Sequence, residues 1–144
     1  MFDRILVVCT GNHCRSPLAE RCLRQLMPEK KIDSAGTRAL VNQAADARAA
    51  SVAGREGLSL AGHKGQPFTP ELGYQYDLIL VMEQQHRRYI ERMAPALKGK
   101  IMLFGHWLQA QEIADPYGQD EAVYLSVYRQ IRRGASCWAE KLSS

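Results

Sequence analysis

The stretch "VVCTGNHCRSP", Val7 to Pro17, decides the reading of this chain. It runs from an apolar segment to a Ser-Pro pair, with five residues separating Cys9 from Arg15. Ile5–Val8 is continuously apolar, the pattern of a strand buried on both faces. Ser16-Pro17 reads as a helix start, with Ser16 as N-cap and Pro17 at the first helical position. The first amides of such a helix lack intrahelical acceptors and carry the positive end of its dipole. Amides of successive loop residues can also turn inward and form a nest for an anion. Gly11 allows a backbone conformation that a side chain would obstruct, and Asn12 tolerates left-handed geometry. Arg15 adds a planar fork of donors matched to two phosphate oxygens. The field that draws in phosphate also favours a thiolate at Cys9. Ser16 is placed to hydrogen-bond that sulfur as it leaves in a second half-reaction. The expected phosphate-binding set is therefore Thr10, Gly11, Asn12, His13, Cys14, Arg15 and Ser16, with Cys9 as the nucleophile beneath.

Two other phosphate loops are excluded. The G-x4-G-K-[ST] pattern of ATP-binding loops is absent, and so is the GxGxxG of dinucleotide folds. Reading Cys9 as a buried small hydrophobe and Arg15 as a surface charge leaves Gly-Asn and Arg-Ser-Pro unexplained.

Outward from this loop, short apolar runs alternate with helical stretches, which predicts βαβ units and a parallel sheet. Leu18, Cys22, Leu23 and Leu26 fall on one face of the first helix, which ends near Met27-Pro28. Lys31–Ser34 reads as a second strand, Asp46–Glu56 as a helix closing at Gly57, and Thr69-Pro70 as a short helical turn. Leu78–Met82 is a third strand, Glu83–Met93 a polar helix and Lys100–Phe104 a fourth strand. Tyr124, Val127, Tyr128, Ile131, Ala135, Trp138 and Leu142 make one apolar stripe along a last helix, expected to pack on the sheet.

Composition bounds the function. The 144 residues suit a single domain spanning 1–144. Hydrophobic residues make up 46% and charged residues 24%, which argues against disorder. No apolar run reaches the roughly 18–20 residues of a membrane span, so the chain is not expected to insert in a membrane. The start MFDRILVVCTG lacks the features of a signal peptide, and a cytoplasmic protein is expected. The net charge of +4 is compatible with anionic partners, but without a Lys/Arg block nucleic acid is not expected. Arg87-Arg88 and Arg132-Arg133 read as solvated helix faces. Cys9, Cys14, Cys22 and Cys137 form no CxxC pairs, and His13, His63, His86 and His106 are scattered. A disulfide scaffold and a zinc site are therefore both unexpected. No metal and no cofactor is anticipated. His86 is expected on a helix exterior and His106 at a strand end, neither with a role.

With these residues in place, "VVCTGNHCRSP" resembles the signature of low-molecular-weight protein tyrosine phosphatases, and "DPY" at Asp115–Tyr117 is similar to their acid loop. Likeness extends to "DSAGT" at Asp33–Thr37, "LSLAGH" ending at His63 and "YDLILVME" at Tyr76–Glu83. "GKIMLFGHW" and "EIADPY" resemble the Gram-negative branch associated with capsule and exopolysaccharide export. The resemblance implies an α/β, Rossmann-like fold, with a four-stranded parallel sheet flanked by helices on both faces and the phosphate loop after strand 1. It implies catalytic roles for Cys9, Arg15 and Asp115, and loop-supporting roles for Asn12, Ser16, Ser34 and His63. Sequence alone does not choose Asp115 over Asp120 or Asp77; the resemblance does. An acid there suits the chemistry, because phenolate leaves poorly until protonated. Pro116 restricts the residue before it to extended geometry.

Tyr117 is expected to wall a cleft for the phosphotyrosine ring. Thr37–Val41 forms the opposite wall, where Leu40 stands in place of the aromatic residue common in the family. His13 is a second departure, read either as a charge near substrate or as a solvated side chain. Cys14 either packs or forms a reversible disulfide with Cys9, whereas Cys22 and Cys137 are filler. His63 would otherwise be a core histidine satisfied by backbone groups. The implied reaction is hydrolysis of phosphotyrosine through phosphocysteine, with inorganic phosphate as product and inhibitor. The implied partner is a tyrosine-phosphorylated bacterial autokinase of polysaccharide production. Two alternatives are a thiol-coupled arsenate reductase and a phosphate-recognising module without turnover. The first needs relay cysteines that "EQQHRRYIERM" after the third strand does not provide.

Overall fold

The computed structural model describes residues 2–143. Four parallel strands form one sheet in the order β2-β1-β3-β4: β1 Arg4–Cys9, β2 Lys31–Gly36, β3 Leu78–Val81 and β4 Ile101–Leu103. The register pairs Cys9 with Gly36 on one side of β1 and Val8 with Val81 on the other.

The unbroken apolar run of β1 follows from burial on both faces. Ile5, Val7 and Cys9 point to one side, with Leu78 and Leu80. Leu6 and Val8 point to the other, with Ile79 and Val81. The first face is covered by α1 (Arg15–Leu26), α2 (Ala47–Arg55) and α5 (Glu121–Leu142). The second is covered by α3 (Pro70–Gly73), α4 (Gln84–Met93) and a 3-10 turn at Pro95–Lys100. The stripe on α5 packs as expected: Tyr124, Val127, Tyr128, Ile131, Ala135 and Trp138 are all buried. Trp138 also donates its indole N–H to the Phe104 carbonyl at 2.7 Å, so the ring packs without leaving a polar atom unpaired.

Helix limits follow local chemistry. Asp46 precedes α2, and Gly57, at φ 84°, turns the chain out of it. Thr69 caps α3 by accepting from the Leu72 amide, with Pro70 at the first helical position. The start of α1 differs from expectation. The helix begins at Arg15 with Cys14 in the cap position, and no side chain caps it. Ser16 is inside the helix because its hydroxyl is engaged by Cys9 and Asn12 and so is unavailable to the helix amides.

The chain leaves β1 toward β2 on one side, while β3 lies on the other. In an open parallel sheet this reversal leaves a crevice beyond the strand ends, where ligands bind. Cys9, the last residue of β1, lies at that crevice.

Candidate active site

Phosphate-loop geometry is set from outside the loop. The Cys9 carbonyl accepts from the Thr37 amide at 2.9 Å, Thr10 from Arg38 at 2.8 Å, Gly11 from Leu40 at 2.9 Å and His13 from Asp46 at 2.8 Å. Asn12, at φ 52°, has its carbonyl bonded by His63 Nε2 at 2.7 Å. A carbonyl can only accept, so that nitrogen carries the His63 proton. In a planar trans peptide each carbonyl points opposite to the next amide. Four pinned carbonyls, Thr10 to His13, therefore turn the amides of Gly11, Asn12, His13 and Cys14 inward. Among the described residues none of those amides donates to a protein acceptor. They form an anion nest at a helix start.

Cys9 Sγ lies 3.0 Å from Ser16 Oγ, and the surrounding bonds fix the direction of that contact. The Asn12 side-chain oxygen accepts from the Gln66 amide at 2.9 Å. Its nitrogen then donates to Ser16 Oγ at 2.8 Å and Ser34 Oγ at 3.0 Å. Ser34 in turn donates to Glu20 Oε1 at 2.9 Å. Glu20 is held by Arg21 and Arg24 and accepts only. Ser16, already accepting from Asn12, has its own proton left for the sulfur.

Arg15 is only 2% exposed. It bonds Glu83 and, at 2.8 Å, the Ile113 carbonyl; Asp115 Oδ2 lies 3.8 Å away. Burial raises the Glu83 carboxyl, but bonds from Arg15 and Gln85 outweigh this and hold it below its usual range. His86 is buried, 2% exposed, and accepts the Glu83 amide on Nδ1. Nε2 therefore carries its proton and donates to Thr10 Oγ1 at 2.8 Å. Burial and the Arg15 charge push this imidazole down to about 4.

The structure brings together every residue expected at the site. Thr10, Gly11, His13, Cys14, Arg15, Leu40, Asp115 and Tyr117 line one cavity of about 270 Å³ with Cys9 at its floor, and Arg38 joins them. Asn12, Ser16, Ser34 and His63 support the loop from behind. Tyr117 is 67% exposed, and its ring centroid lies 6.3 Å from that of His13. Asp115 accepts the Tyr117 amide through Oδ1 at 3.1 Å, which leaves Oδ2 toward Arg15. Of the four cysteines, Cys9 and Cys14 line the cavity, whereas Cys22 packs in the core and Cys137 lies on α5. Burial, with Cys9 and Asp46 adding to it, pushes the Cys14 thiol up.

Two expectations need correction. Gly11 is not forced by conformation, because a Cβ there would make ordinary contacts at 3.5 Å or more. A glycine is required instead at Gly36, whose Cβ would lie 2.4 Å from the Thr10 carbonyl oxygen. His86 is inside, drawn in because both ring nitrogens have partners. Arg88 is exposed, as a solvated helix face requires, and it also lines a cavity with His86. Glu20, Glu83 and Ile113 were missed. The "YDLILVME" run ends on Glu83 directly after β3, a placement from which a partner for the arginine could have been sought.

The chain belongs to the low-molecular-weight phosphotyrosine protein phosphatase family, which matches residues 4–144. It is 49% identical over 142 residues to the phosphatase Etp of Escherichia coli K12, covering 99% of this chain and 96% of that one. The crystal structure of the tyrosine phosphatase Wzb from Escherichia coli K30 in complex with sulphate matches with a TM-score of 0.97, at 55% identity over 99% of both chains. The Erwinia amylovora tyrosine phosphatase AmsI matches with the same TM-score at 46% identity, covering 100% of this chain and 95% of that one. Of the activities left open by the sequence, this membership supports the phosphatase.

The depressed His86 gives a pH signature. The unfolded imidazole takes a proton below its ordinary 6.5, whereas the folded one takes it near 4. Across that window the unfolded chain binds more protons, so stability falls as pH falls. Urea midpoints should drop more steeply from pH 6.5 to 4 in the wild type than in His86→Gln; parallel curves would contradict the assignment.

Proposed function

We propose that this enzyme hydrolyses phosphotyrosine in protein substrates through a phosphocysteine intermediate, with Cys9, Arg15 and Asp115 as its catalytic groups. The observation that carries this is the row of inward, unpartnered amides around a sulfur that receives a hydroxyl proton from Ser16.

In the first step the Cys9 sulfur attacks phosphorus and the bond from phosphorus to the tyrosyl oxygen breaks. Asp115 delivers its proton to that oxygen, and tyrosine leaves. The nest amides and the Arg15 fork hold the equatorial oxygens, where charge is greatest in the transition state. In the second step Asp115 takes a proton from water, the water oxygen attacks phosphorus and the S–P bond breaks. The departing sulfur keeps the electron pair, stabilised by the Ser16 hydroxyl. Inorganic phosphate remains in the nest, which makes it a product inhibitor. Tyr117 and Leu40 at the rim favour a flat aromatic group above the phosphate.

The proposed physiological substrate is a tyrosine-phosphorylated autokinase of capsule or exopolysaccharide production, met in the cytoplasm. Support comes from the likeness of "GKIMLFGHW" and "EIADPY" to that branch and from similarity to Wzb and AmsI. Among the described residues no helix is long and apolar enough to cross a membrane. Cys14 is the proposed redox partner of the nucleophile. After peroxide converts the Cys9 thiol to a sulfenic acid, the Cys14 thiol displaces water from it to form a disulfide.

Four measurements test these roles. Cys9→Ser should abolish turnover of an aryl phosphate while retaining phosphate binding. Asp115→Asn should slow phenyl phosphate by about 10²–10⁴-fold but slow esters with good leaving groups much less; equal slowing would remove the acid. Cells holding the Cys9→Ser trap should accumulate the phosphorylated kinase on the trap, and recovery of other phosphoproteins without it would reject that partner. After a peroxide pulse and dithiothreitol, the wild type should recover activity that Cys14→Ser does not; equal recovery would dismiss the disulfide.

A further inference from the structure

A second cavity, of about 390 Å³, lies beside the phosphate cleft. The two share Thr10 and Arg38 as lining residues. Arg88 and Arg92, one turn apart on α4, line the second cavity with Arg38, and His86 and Tyr89 complete its wall. No aspartate or glutamate lines it. Among the described residues none of these three arginines forms an ion pair or donates a side-chain hydrogen bond to a protein acceptor. The arginines in the other ion pairs, by contrast, are engaged by carboxylates.

All three arginines are exposed, so without a ligand only water and salt balance their charges. Like charges four residues apart on a helix repel, and Arg38 brings a third charge from the segment after β2. His86 adds no negative charge, because it is held neutral by its two bonds. Three guanidiniums around one cavity exceed what a single carboxylate can satisfy, whereas a phosphate dianion accepts from several forks at once. Tyr89 supplies an aromatic side chain at the same wall.

We propose that this cavity is a second phosphoryl subsite, which receives another phosphotyrosine of the same substrate chain while the first lies over Cys9. The inference rests on the phosphotyrosine reading above and deepens it: the preferred substrate class is a segment carrying clustered phosphotyrosines. Arg38 stands between the two cavities, so the second phosphoryl group belongs within a few residues of the first.

The test uses fluorescent peptides with one phosphotyrosine, with a second phosphotyrosine one to three residues away on either side, or with glutamate at the second position. Binding is measured on the full-length Cys9→Ser protein and turnover on the wild type. The best doubly phosphorylated peptide should bind roughly five- to tenfold more tightly than the singly phosphorylated one. That advantage should disappear in an Arg88→Gln/Arg92→Gln variant whose turnover of the singly phosphorylated peptide is unchanged. Equal affinity for all peptides overturns the subsite. A glutamate peptide matching the full advantage also overturns it, in favour of a reader of acidic residues. Phosphate-dependent tight binding with no wild-type turnover would overturn the phosphatase reading and leave the subsite standing.

Discussion

The hydrogen bonds that hold the loop carbonyls outward are the constraint on which the rest depends. Donors from four separate places, the segment after β2, the start of α2, His63 and the first turn of α1, seize consecutive carbonyls from Cys9 to Cys14. Each is spent on a carbonyl, yet together they decide where the loop amides point. Because the amides are already aimed, charge developing on phosphorus oxygens meets fixed dipoles and needs no reorganisation. The close approach of the β2 end to the loop is possible because residue 36 has no side chain to intervene.

The same packing gives the sulfur and the arginine their partners. From Glu20 to Cys9 the direction of each hydrogen bond is determined by the one before, starting from a carboxylate that can only accept. Such a chain is worth more than its separate bonds because each polarises the next. Arg15 raises the opposite problem, a permanent charge almost out of solvent. A buried charge stripped of its partner costs about 3–5 kcal/mol, and Glu83 and the Ile113 carbonyl prevent this. Ile113 also donates its amide to the Met82 carbonyl. The segment bearing Asp115 is therefore tied to the sheet and to the arginine through one buried residue, two positions before the acid.

Features with a period or a punctuation mark were legible in the sequence. The doubly buried β1, the α5 stripe, Gly57 closing α2 and Thr69-Pro70 opening α3 all lie where local pattern predicts them. Cys9, Arg15 and the left-handed Asn12, the proposed nucleophile and clamp among them, are read from one loop. What escaped depends on contacts between distant segments. Ser16 follows every local rule for an N-cap, but tertiary bonds to Cys9 and Asn12 take its hydroxyl. His86 sits in a polar stretch that reads as solvent-facing, and only the end of β1 beside it supplies the Thr10 acceptor that justifies burying it. Glu20 and Glu83 are two of many carboxylates on helical stretches until the fold brings Ser34 and Arg15 to them.

This division also separates catalysis from selectivity. The floor of the cleft is backbone, one guanidinium and one sulfur, and it cannot distinguish phosphotyrosine from free phosphate, since both present the same oxygens. Selectivity therefore has to arise at the rim, from Leu40, Tyr117, His13 and Arg38, which stand on loops. Leu40 offers apolar area without the quadrupole of an aromatic ring, so in the proposed reading the substrate ring would be gripped mainly from the Tyr117 side. Weak one-sided stacking leaves more of the discrimination to charges along the peptide. Arg38 lines both cavities, which would make it, in the proposed subsite, the side chain through which a neighbouring anion most directly affects the fit of the first phosphoryl group.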